Sequence, residues 1–197
     1  MTMVIGLTGG IASGKSTVSN MIREQQIPIV DADLISRQVV EVGKPAYHQI
    51  QEAFGSSILN EDETINREKL GSIIFQDEKK RYLLNSIVHP AVRKEMLQQT
   101  GMAKRNKERA VVLDIPLLFE SKLTQMVEKT LLIYVDENTQ LERLMNRNSY
   151  LKEEALSRIQ SQMPLKEKVE LADEVINNNG TINETRQQLN RILEKWL

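Results

Sequence analysis

Cysteine is absent from the 197-residue sequence, and aromatic residues make up only 4% of it. Without cysteine the chain can form neither a disulfide nor a thiolate-bound zinc site, which fits a reducing compartment. No apolar run approaches the ~20 residues that a membrane-spanning helix needs. The start of the chain lacks a basic segment ahead of its first apolar run, so we expect no signal peptide and a cytoplasmic location.

A strong charge of either sign is also missing, because the net charge is −1. No overall electrostatic field therefore indicates nucleic acid as a partner. Hydrophobic residues make up 40% of the chain, which is enough for a core, and the length fits one domain with an insert. We expect a protein that has neither nucleic acid nor membrane as a partner. We also expect a monomer, although the sequence leaves an oligomer open.

Short apolar runs alternate with longer helical patterns along the chain. The predicted strands are residues 3–7, 27–31, 110–115, 130–136 and 173–176. These runs are continuous rather than alternating, which is typical of parallel strands that are buried on both faces. Helical patterns such as 15–25 and 137–147 lie between them and complete βαβ units. The sequence therefore predicts an α/β fold with a five-stranded parallel sheet.

One long segment interrupts this alternation, because nearly eighty residues separate the second strand from the third. Four helical patterns within it, at 35–43, 46–54, 67–75 and 80–99, predict a small helical insert. Pro90 follows His89 and predicts that a helix starting near residue 78 breaks there. Residues 79–109 contain nine Lys or Arg and two acidic residues, which would attract an anionic substrate.

The first strand leads into "GLTGGIASGKST" (6–17), which predicts a phosphate-binding loop. Its glycines allow positive φ angles and close approach of a ligand, and the N–H groups at the following helix start attract anions. Lys15 would reach the β- and γ-phosphates, and the Ser16 hydroxyl is a hard ligand for Mg²⁺. The motif predicts binding of a nucleoside triphosphate with Mg²⁺.

Aspartates close three of the strands at the edge where ligands of such sheets bind. The second strand ends in "DAD" (31–33), and in an extended chain Asp31 and Asp33 would point to the same side. One carboxylate could then lie near the metal and the other accept a proton from a hydroxyl nucleophile. We assign the base to Asp33 and the metal to Asp31 with Ser16, while Asp33 also fits a helix cap. Asp114 is a further acid that could lie near the metal, and Asp136 is predicted to cap the next helix.

Arginines near the fourth strand predict a lid over the phosphates. Arg143 and Arg147 are four residues apart and share one helix face, and Arg158 follows on the next helical segment. Guanidinium groups suit phosphoryl oxygens, so we predict that Arg143 and Arg147 stabilise the transition state together with Lys15.

A series of motifs identifies a family to which the chain is similar. These are "LTGGIASGKST", "DADLISRQVV", "VHP", "DIPLLFE", "RLMNR", "RIQSQM" and "ADEVINNNG". In this order they resemble the dephospho-coenzyme A kinases, from Val4 to about Leu193, although Ala12 stands where that family often has glycine. The resemblance implies a three-layer P-loop kinase fold. It also implies transfer of the ATP γ-phosphate to the ribose 3′-hydroxyl of dephospho-CoA, which completes coenzyme A.

The resemblance further implies which residues contact each substrate. The core would comprise 1–36, 106–140 and 171–197, with an acceptor-binding insert at about 37–105 and a lid at about 141–165. ATP would be bound by the phosphate loop and by the loop after the last strand, namely Gly9, Gly10, Ala12, Ser13, Gly14, Lys15, Ser16, Thr17, Asn178 and Gly180. The acceptor would contact Thr8, Asp33, Arg37, Arg81, His89 and Leu117.

Other nucleotide-binding classes fit the sequence less well. A GTP-dependent switch needs a guanine-reading "NKxD", but "NKER" at 106–109 ends in Arg109. A mechanical ATPase normally has a glutamate after the strand aspartate, where this chain has Ile115. A kinase for nucleoside monophosphates or another small metabolite stays open as the alternative, although the insert is longer than a monophosphate needs. A purely structural module would not need acidic residues at the strand ends.

Overall fold

Five strands form one sheet in the structure, a computed structural model that describes all 197 residues. The strands are β1 (Met3–Gly9), β2 (Ile29–Asp31), β3 (Ala110–Asp114), β4 (Lys129–Tyr134) and β5 (Glu174–Asn177). Their order across the sheet is β2-β3-β1-β4-β5, and β1 pairs in parallel with both β3 and β4. The predicted α/β fold with a five-stranded parallel sheet is confirmed.

Nine α-helices lie between and after the strands. They are α1 (Lys15–Glu24), α2 (Ala32–Gln38), α3 (Pro45–Phe54), α4 (Arg67–Gln76), α5 (Glu78–Arg105), α6 (Glu137–Asn148), α7 (Lys152–Gln160), α8 (Leu165–Val169) and α9 (Ile182–Trp196). None of them combines the length and the apolar composition that a membrane crossing requires. The chain divides into two compact units, residues 1–30 with 102–197, and residues 31–101.

The first unit is built around the apolar strands that the sequence predicts. Ile5 and Leu7 of β1 are fully buried, and they share a core with Ile22 of α1 and with Leu189 and Leu193 of α9. Burial of each such side chain stabilises the fold by about 1.5–3 kcal/mol. The helical spacing on α9 therefore reflects packing in the core.

Strand register determines which residues lie together at the carboxyl ends of the parallel strands. Leu7 of β1 pairs with Asp114, the last residue of β3, and Gly9 pairs with Ile133 near the end of β4. Because parallel strands end at the same edge, the loop after β1 and the carboxylate of Asp114 lie together there.

The second unit, residues 31–101, contains α2, α3, α4 and most of α5. Its own small core consists of Ile50, Ile58 and Leu70, with partly buried apolar side chains of α5 packed against them. The sequence predicts a helical insert at about 37–105, whereas this compact unit begins at Asp31 and ends at Gly101.

Two helix predictions in this region are wrong, one about where a helix ends and the other about a break within a helix. The helix predicted over 35–43 ends at Gln38, and Gly43 adopts a left-handed φ of 84°. The helix predicted to break at His89 instead continues through Pro90, so that α5 has 28 residues. Proline lacks one helical N–H donor, but Ile87 and Val88 pack against the core and hold the preceding turn in helical form.

Candidate active site

The loop between β1 and α1 has the backbone of a phosphate-binding loop. A turn forms where the Ser13 N–H donates to the Gly10 carbonyl at 3.1 Å. Ala12 adopts a left-handed φ of 58°, and Gly14, the residue before α1, adopts a φ of 88°. This path leaves the N–H groups of the first turn of α1 at the start of a helix, where they attract anions.

Glycine is required at two positions of this loop because other residues approach the backbone closely. A Cβ on Gly14 would collide with the side-chain amide of Asn178. A Cβ on Gly10 would lie 2.8 Å from Nε2 of Gln140 and 3.1 Å from Cγ of Leu165. The loop is therefore packed tightly against residues that come much later in the sequence.

Lys15 forms an ion pair with Asp114 at the end of β3. Asp114 is buried, and its second carboxylate oxygen accepts a hydrogen bond of 2.6 Å from the Ser19 hydroxyl. Lys15 and Ser19 are four residues apart on α1, so both face this carboxylate. The sequence predicts contact of Lys15 with phosphates but gives no role to Ser19. The only local sign that Ser19 contacts the same carboxylate is its spacing of four residues from Lys15.

The structure places Asp31 at the end of β2 and Asp33 in the first turn of α2. The side chain of Asp31 accepts a hydrogen bond of 2.9 Å from the Leu34 N–H and caps α2. The prediction that Asp33 caps this helix is wrong, because Asp33 lies inside its first turn, where it is exposed. The prediction also treats residues 31 and 33 as one extended strand, which fails because α2 begins at Ala32. Catalytic and metal roles for the two stay predictions.

The lid arginines differ in their surroundings. Nη1 of Arg143, on α6, lies 3.9 Å from the position that a Cβ on Gly14 would occupy. Arg147 instead donates from Nε to its neighbour Asn148 at 2.8 Å and is exposed. Arg158, on α7, pairs with Glu154 and stacks over Tyr150 at 4.5 Å from the ring centroid. Only Arg143 of the three is found beside the phosphate loop.

The loop after β5 contacts the phosphate loop through Asn178. This side chain is buried, donates from Nδ2 to the Ser13 carbonyl at 2.8 Å and accepts from the Thr185 hydroxyl at 2.7 Å. Gly180 lies at the start of α9, next to the capping box formed by Thr181 and Glu184. Asn178 thus supports the loop in this structure, and direct contact of Asn178 or Gly180 with ATP stays a prediction.

Three residues for which the sequence predicts no role also bind the backbone of the phosphate loop, and a fourth, Glu120, binds one of them. Gln140 and Gln162 hydrogen-bond to the backbone of Ile11, and Lys168 donates to the Gly9 carbonyl at 3.0 Å. Lys168 is fully buried and pairs with Glu120 at 2.7 Å. Gln162 and Glu120 do belong to the segments "RIQSQM" and "DIPLLFE", but nothing local indicates their partners.

The six predicted acceptor contacts are divided between the two units. Thr8, in the first unit, is fully buried, and its hydroxyl donates to the Pro116 carbonyl at 3.0 Å, whereas Leu117 is exposed. The second unit carries Asp33, Arg37, Arg81 and His89, all of them exposed. Arg81 pairs there with Glu78 at 3.1 Å. Contact of these six residues with the acceptor stays a prediction.

Hydrogen bonds lower the pKa of two aspartates, Asp136 at the edge of the sheet that carries the phosphate loop and Asp173 at the opposite edge, just before β5. The backbone N–H and then the hydroxyl of Thr139 lower the pKa of Asp136 below its ordinary value, and Asp136 caps α6 as predicted. Burial raises the pKa of Asp173, but hydrogen bonds from Lys129 and Thr130 outweigh it and lower that pKa. Both carboxylates therefore stay charged at neutral pH and fix the ends of β4 and β5.

Chemically, the loop provides an anion site with a lysine, a carboxylate and hydroxyl groups at its edge. No cluster of three or more His, Cys, Asp or Glu side chains is present in the structure. The hydroxyl of Ser16, which is exposed at the start of α1, and the carboxylate of Asp114 are hard oxygen donors in the first unit. A metal ion here would therefore share its coordination with phosphate oxygens and water, as Mg²⁺ commonly does.

The family model and the curated relatives that match this chain agree on one family. A family model described as dephospho-CoA kinase matches residues 3–184. A dephospho-CoA kinase of Bacillus cereus is 63% identical over 196 residues, which cover 100% of this chain and 98% of that relative.

Two solved structures have the same fold along the whole chain. The crystal structure of TT1252 from Thermus thermophilus has a TM-score of 0.84 at 29% identity and covers 100% of this chain and 98% of that one. A dephospho-CoA kinase from Campylobacter jejuni has a TM-score of 0.76 at 27% identity and covers 99% and 97% of the two chains.

Proposed function

Because this chain belongs to the dephospho-CoA kinase family, we propose that it transfers the γ-phosphoryl group of ATP to the ribose 3′-hydroxyl of dephospho-CoA. The product is coenzyme A, so the reaction is the last step of its biosynthesis. The observation that carries this proposal is the phosphate loop with Lys15 and Asp114 at its edge, in a chain that matches named family members over its full length. A nucleoside monophosphate kinase is not favoured.

The phosphate loop from Gly9 to Thr17 binds the triphosphate of ATP. Its N–H groups and the start of α1 provide a positive electrostatic potential, because these backbone dipoles already point toward the phosphates before ATP binds. When ATP binds, the Lys15 ammonium group either leaves Asp114 or contacts Asp114 and the phosphates together. It then stabilises charge on the transferred phosphoryl group. Asn178 keeps the Ser13 carbonyl, and with it the loop, in place during this exchange.

Mg²⁺ is the cation that the donor set fits, since hydroxyl and carboxylate oxygens are its usual protein ligands. Ser16 and Asp114 are the residues that would hold it. We transfer the metal role from Asp31 to Asp114, because the Asp31 carboxylate already caps α2. When bound, the ion supplies charge neutralisation for the phosphate oxygens.

Asp33 acts as the general base. As the 3′-oxygen of the ribose forms its bond to the γ-phosphorus, the bond from that phosphorus to the β–γ bridging oxygen breaks and ADP leaves. The hydroxyl proton goes to the Asp33 carboxylate. The helix cap belongs to Asp31, so the proton-accepting role of Asp33 does not compete with it.

Arg143 is the lid residue that stabilises the transition state, as its position beside Gly14 supports. Arg37, Arg81, His89, Thr8 and Leu117 form the proposed acceptor contacts. The protein acts in the cytoplasm, where its lack of cysteine is compatible with reducing conditions, and it acts as a monomer.

An acceptor screen tests this proposal. Purified protein is incubated with ATP and Mg²⁺ and with dephospho-CoA, nucleoside monophosphates or small sugars, and phosphorylated products are identified by mass spectrometry and phosphorus NMR. We expect a single phosphorylated product, from dephospho-CoA, with the phosphate on the 3′-oxygen. Efficient phosphorylation of a nucleoside monophosphate with no reaction of dephospho-CoA would overturn the proposal.

A further inference from the structure

The peptide groups on both sides of Ile11 are held by side chains from the other end of the first unit. The Ile11 N–H donates to Oε1 of Gln162 at 2.9 Å, and Nε2 of Gln140 donates to the Ile11 carbonyl at 2.8 Å. We call this pair of glutamines the Ile11 clamp. Gln140 is buried and Gln162 is half-buried, so little water competes for these hydrogen bonds.

The clamp acts on the strained part of the phosphate loop. Ala12 follows Ile11 directly and has a φ of 58°, which an L-residue adopts only when its surroundings enforce it. Fixing both the N–H and the carbonyl of Ile11 sets the orientation of the peptide that enters Ala12. The clamp therefore holds the loop in the conformation that presents its N–H groups to phosphate.

The two members of the clamp lie close to the two ends of the lid segment. Gln140 lies on α6 just before the lid segment 141–165, and Gln162 lies within that segment, two residues after α7 ends. A movement of α7 would move Gln162 and so act on the Ile11 N–H. By contrast, Lys168 of α8 is fixed to the Gly9 carbonyl and to Glu120, which anchors the far side of the segment.

We propose that Gln162 is a positioning residue that couples the lid to the phosphate loop. When the lid segment is ordered, Gln162 holds Ile11 and the loop binds ATP well; when it is not, the loop loses this support. Coupling of this kind is reciprocal, so ATP in the loop must also favour the ordered lid. The inference rests on the proposed function, because it takes residues 9–17 as the ATP site.

The experiment compares Gln162→Met with a matched control, Gln160→Met, whose side chain is exposed two residues away. Amide exchange of Ile11 is measured by NMR without nucleotide, and KM is measured for both substrates. Loss of one supporting hydrogen bond predicts about tenfold faster Ile11 exchange and about tenfold higher KM for ATP, with KM for dephospho-CoA within about twofold of wild type. Gln160→Met is expected to match wild type in all three.

A third variant and a second readout separate coupling from general loss of structure. Gln162→Glu keeps an oxygen acceptor for the Ile11 N–H, so Ile11 protection is expected to return even though the added charge weakens ATP binding. In wild type, a saturating inert ATP analogue is expected to slow amide exchange across residues 149–161. In Gln162→Met, saturated with the same analogue, this slowing is expected to disappear.

Three results would overturn the inference. They are unchanged Ile11 exchange in Gln162→Met, an equal effect of Gln160→Met, and a full lid response to the analogue in Gln162→Met. If Gln162→Met does not fold, Gln162→Asn, whose amide is one methylene shorter, replaces it in every measurement, and the same three results would overturn the inference. Failure of wild type to bind ATP would instead refute the proposed function, because Ile11 protection is measured without nucleotide.

Discussion

Lys15 and Asp114 form an ion pair at the edge of the sheet, and the Ser19 hydroxyl binds the other oxygen of the same carboxylate. The lysine to which we assign the phosphates of ATP is therefore paired with a buried acid in this structure. ATP must compete with Asp114 for the ammonium group.

Replacing Lys15 with alanine should affect turnover far more than folding. The variant removes a cation that stabilises the transferred phosphoryl group, so we expect kcat to fall by roughly 10²–10³-fold. It also leaves the Asp114 carboxylate with Ser19 alone, which should lower the free energy of unfolding by about 1–3 kcal/mol. Steady-state kinetics and urea unfolding check the two effects. A folded Lys15→Ala protein with near wild-type turnover would contradict the assignment of the loop.

Asparagine at position 114 should raise the Mg²⁺ requirement. The carboxylate of Asp114 is the proposed acidic ligand next to Ser16, so Asp114→Asn should increase the Mg²⁺ concentration for half-maximal activity by about tenfold. Asp31→Asn is the matched comparison, because asparagine caps a helix as well as aspartate does. The measurement is the Mg²⁺ concentration for half-maximal activity in each of the two variants and in wild type. A shift in Asp31→Asn alone would return the metal role to Asp31.

Asp33→Asn should slow the chemical step while leaving substrate binding and the Mg²⁺ requirement near wild type. Asparagine keeps the shape and hydrogen-bonding capacity of the side chain but cannot take the hydroxyl proton, and general-base help is worth roughly 10²–10⁴-fold in rate. Single-turnover measurements across pH test this directly. Near-normal kcat in this variant would mean that positioning and charge suffice, as a loose phosphoryl-transfer transition state permits.

The two lid arginines should differ in their importance. Arg143 lies beside Gly14, whereas Arg147 binds its neighbour Asn148. We expect Arg143→Ala to lower kcat by roughly 10²–10³-fold, with a smaller change in ATP affinity, and Arg147→Ala to have a clearly weaker effect. Each is assayed for kcat and for binding of an ATP analogue. Equal losses in both variants would show that the lid rearranges enough to bring Arg147 to the phosphates.

Glycine in place of Ala12 should stabilise the fold. A left-handed residue with a side chain is disfavoured by roughly 1–2 kcal/mol, and glycine loses about 0.5–1 kcal/mol more entropy on folding. The net gain for Ala12→Gly is therefore about 0.5–1 kcal/mol in the free energy of unfolding. Ala53→Gly, on the exposed side of α3, is the matched control. Its free energy of unfolding should fall by about as much as that of Ala12→Gly rises. Urea unfolding of both variants should show opposite signs, and a loss in Ala12→Gly would contradict the strain assigned to this loop.

Local sequence is enough to predict the five strands of this protein and most of its helices, and it is the basis on which we assign the phosphate site. Continuous apolar runs such as those around Ile5 and Val112 predict buried parallel strands, because both faces of each strand must be apolar. The glycines, Lys15 and Ser16 predict an anion site because a few neighbouring residues set the backbone path and the charge there. The same kind of local signal predicts Asp136 as a helix cap, and the structure has it.

Only the tertiary structure decided which side chains hold that site. Gln140, Gln162, Lys168 and Asn178 reach the loop from more than a hundred residues away, and hydrogen bonds over such separations leave no pattern in the local sequence. Packing likewise keeps α5 helical through Pro90, although a residue that precedes proline, here His89, disfavours the helical conformation. Asp31 rather than Asp33 caps α2 because the helix begins at Ala32, directly after the last residue of β2. Propensities alone do not fix such a boundary.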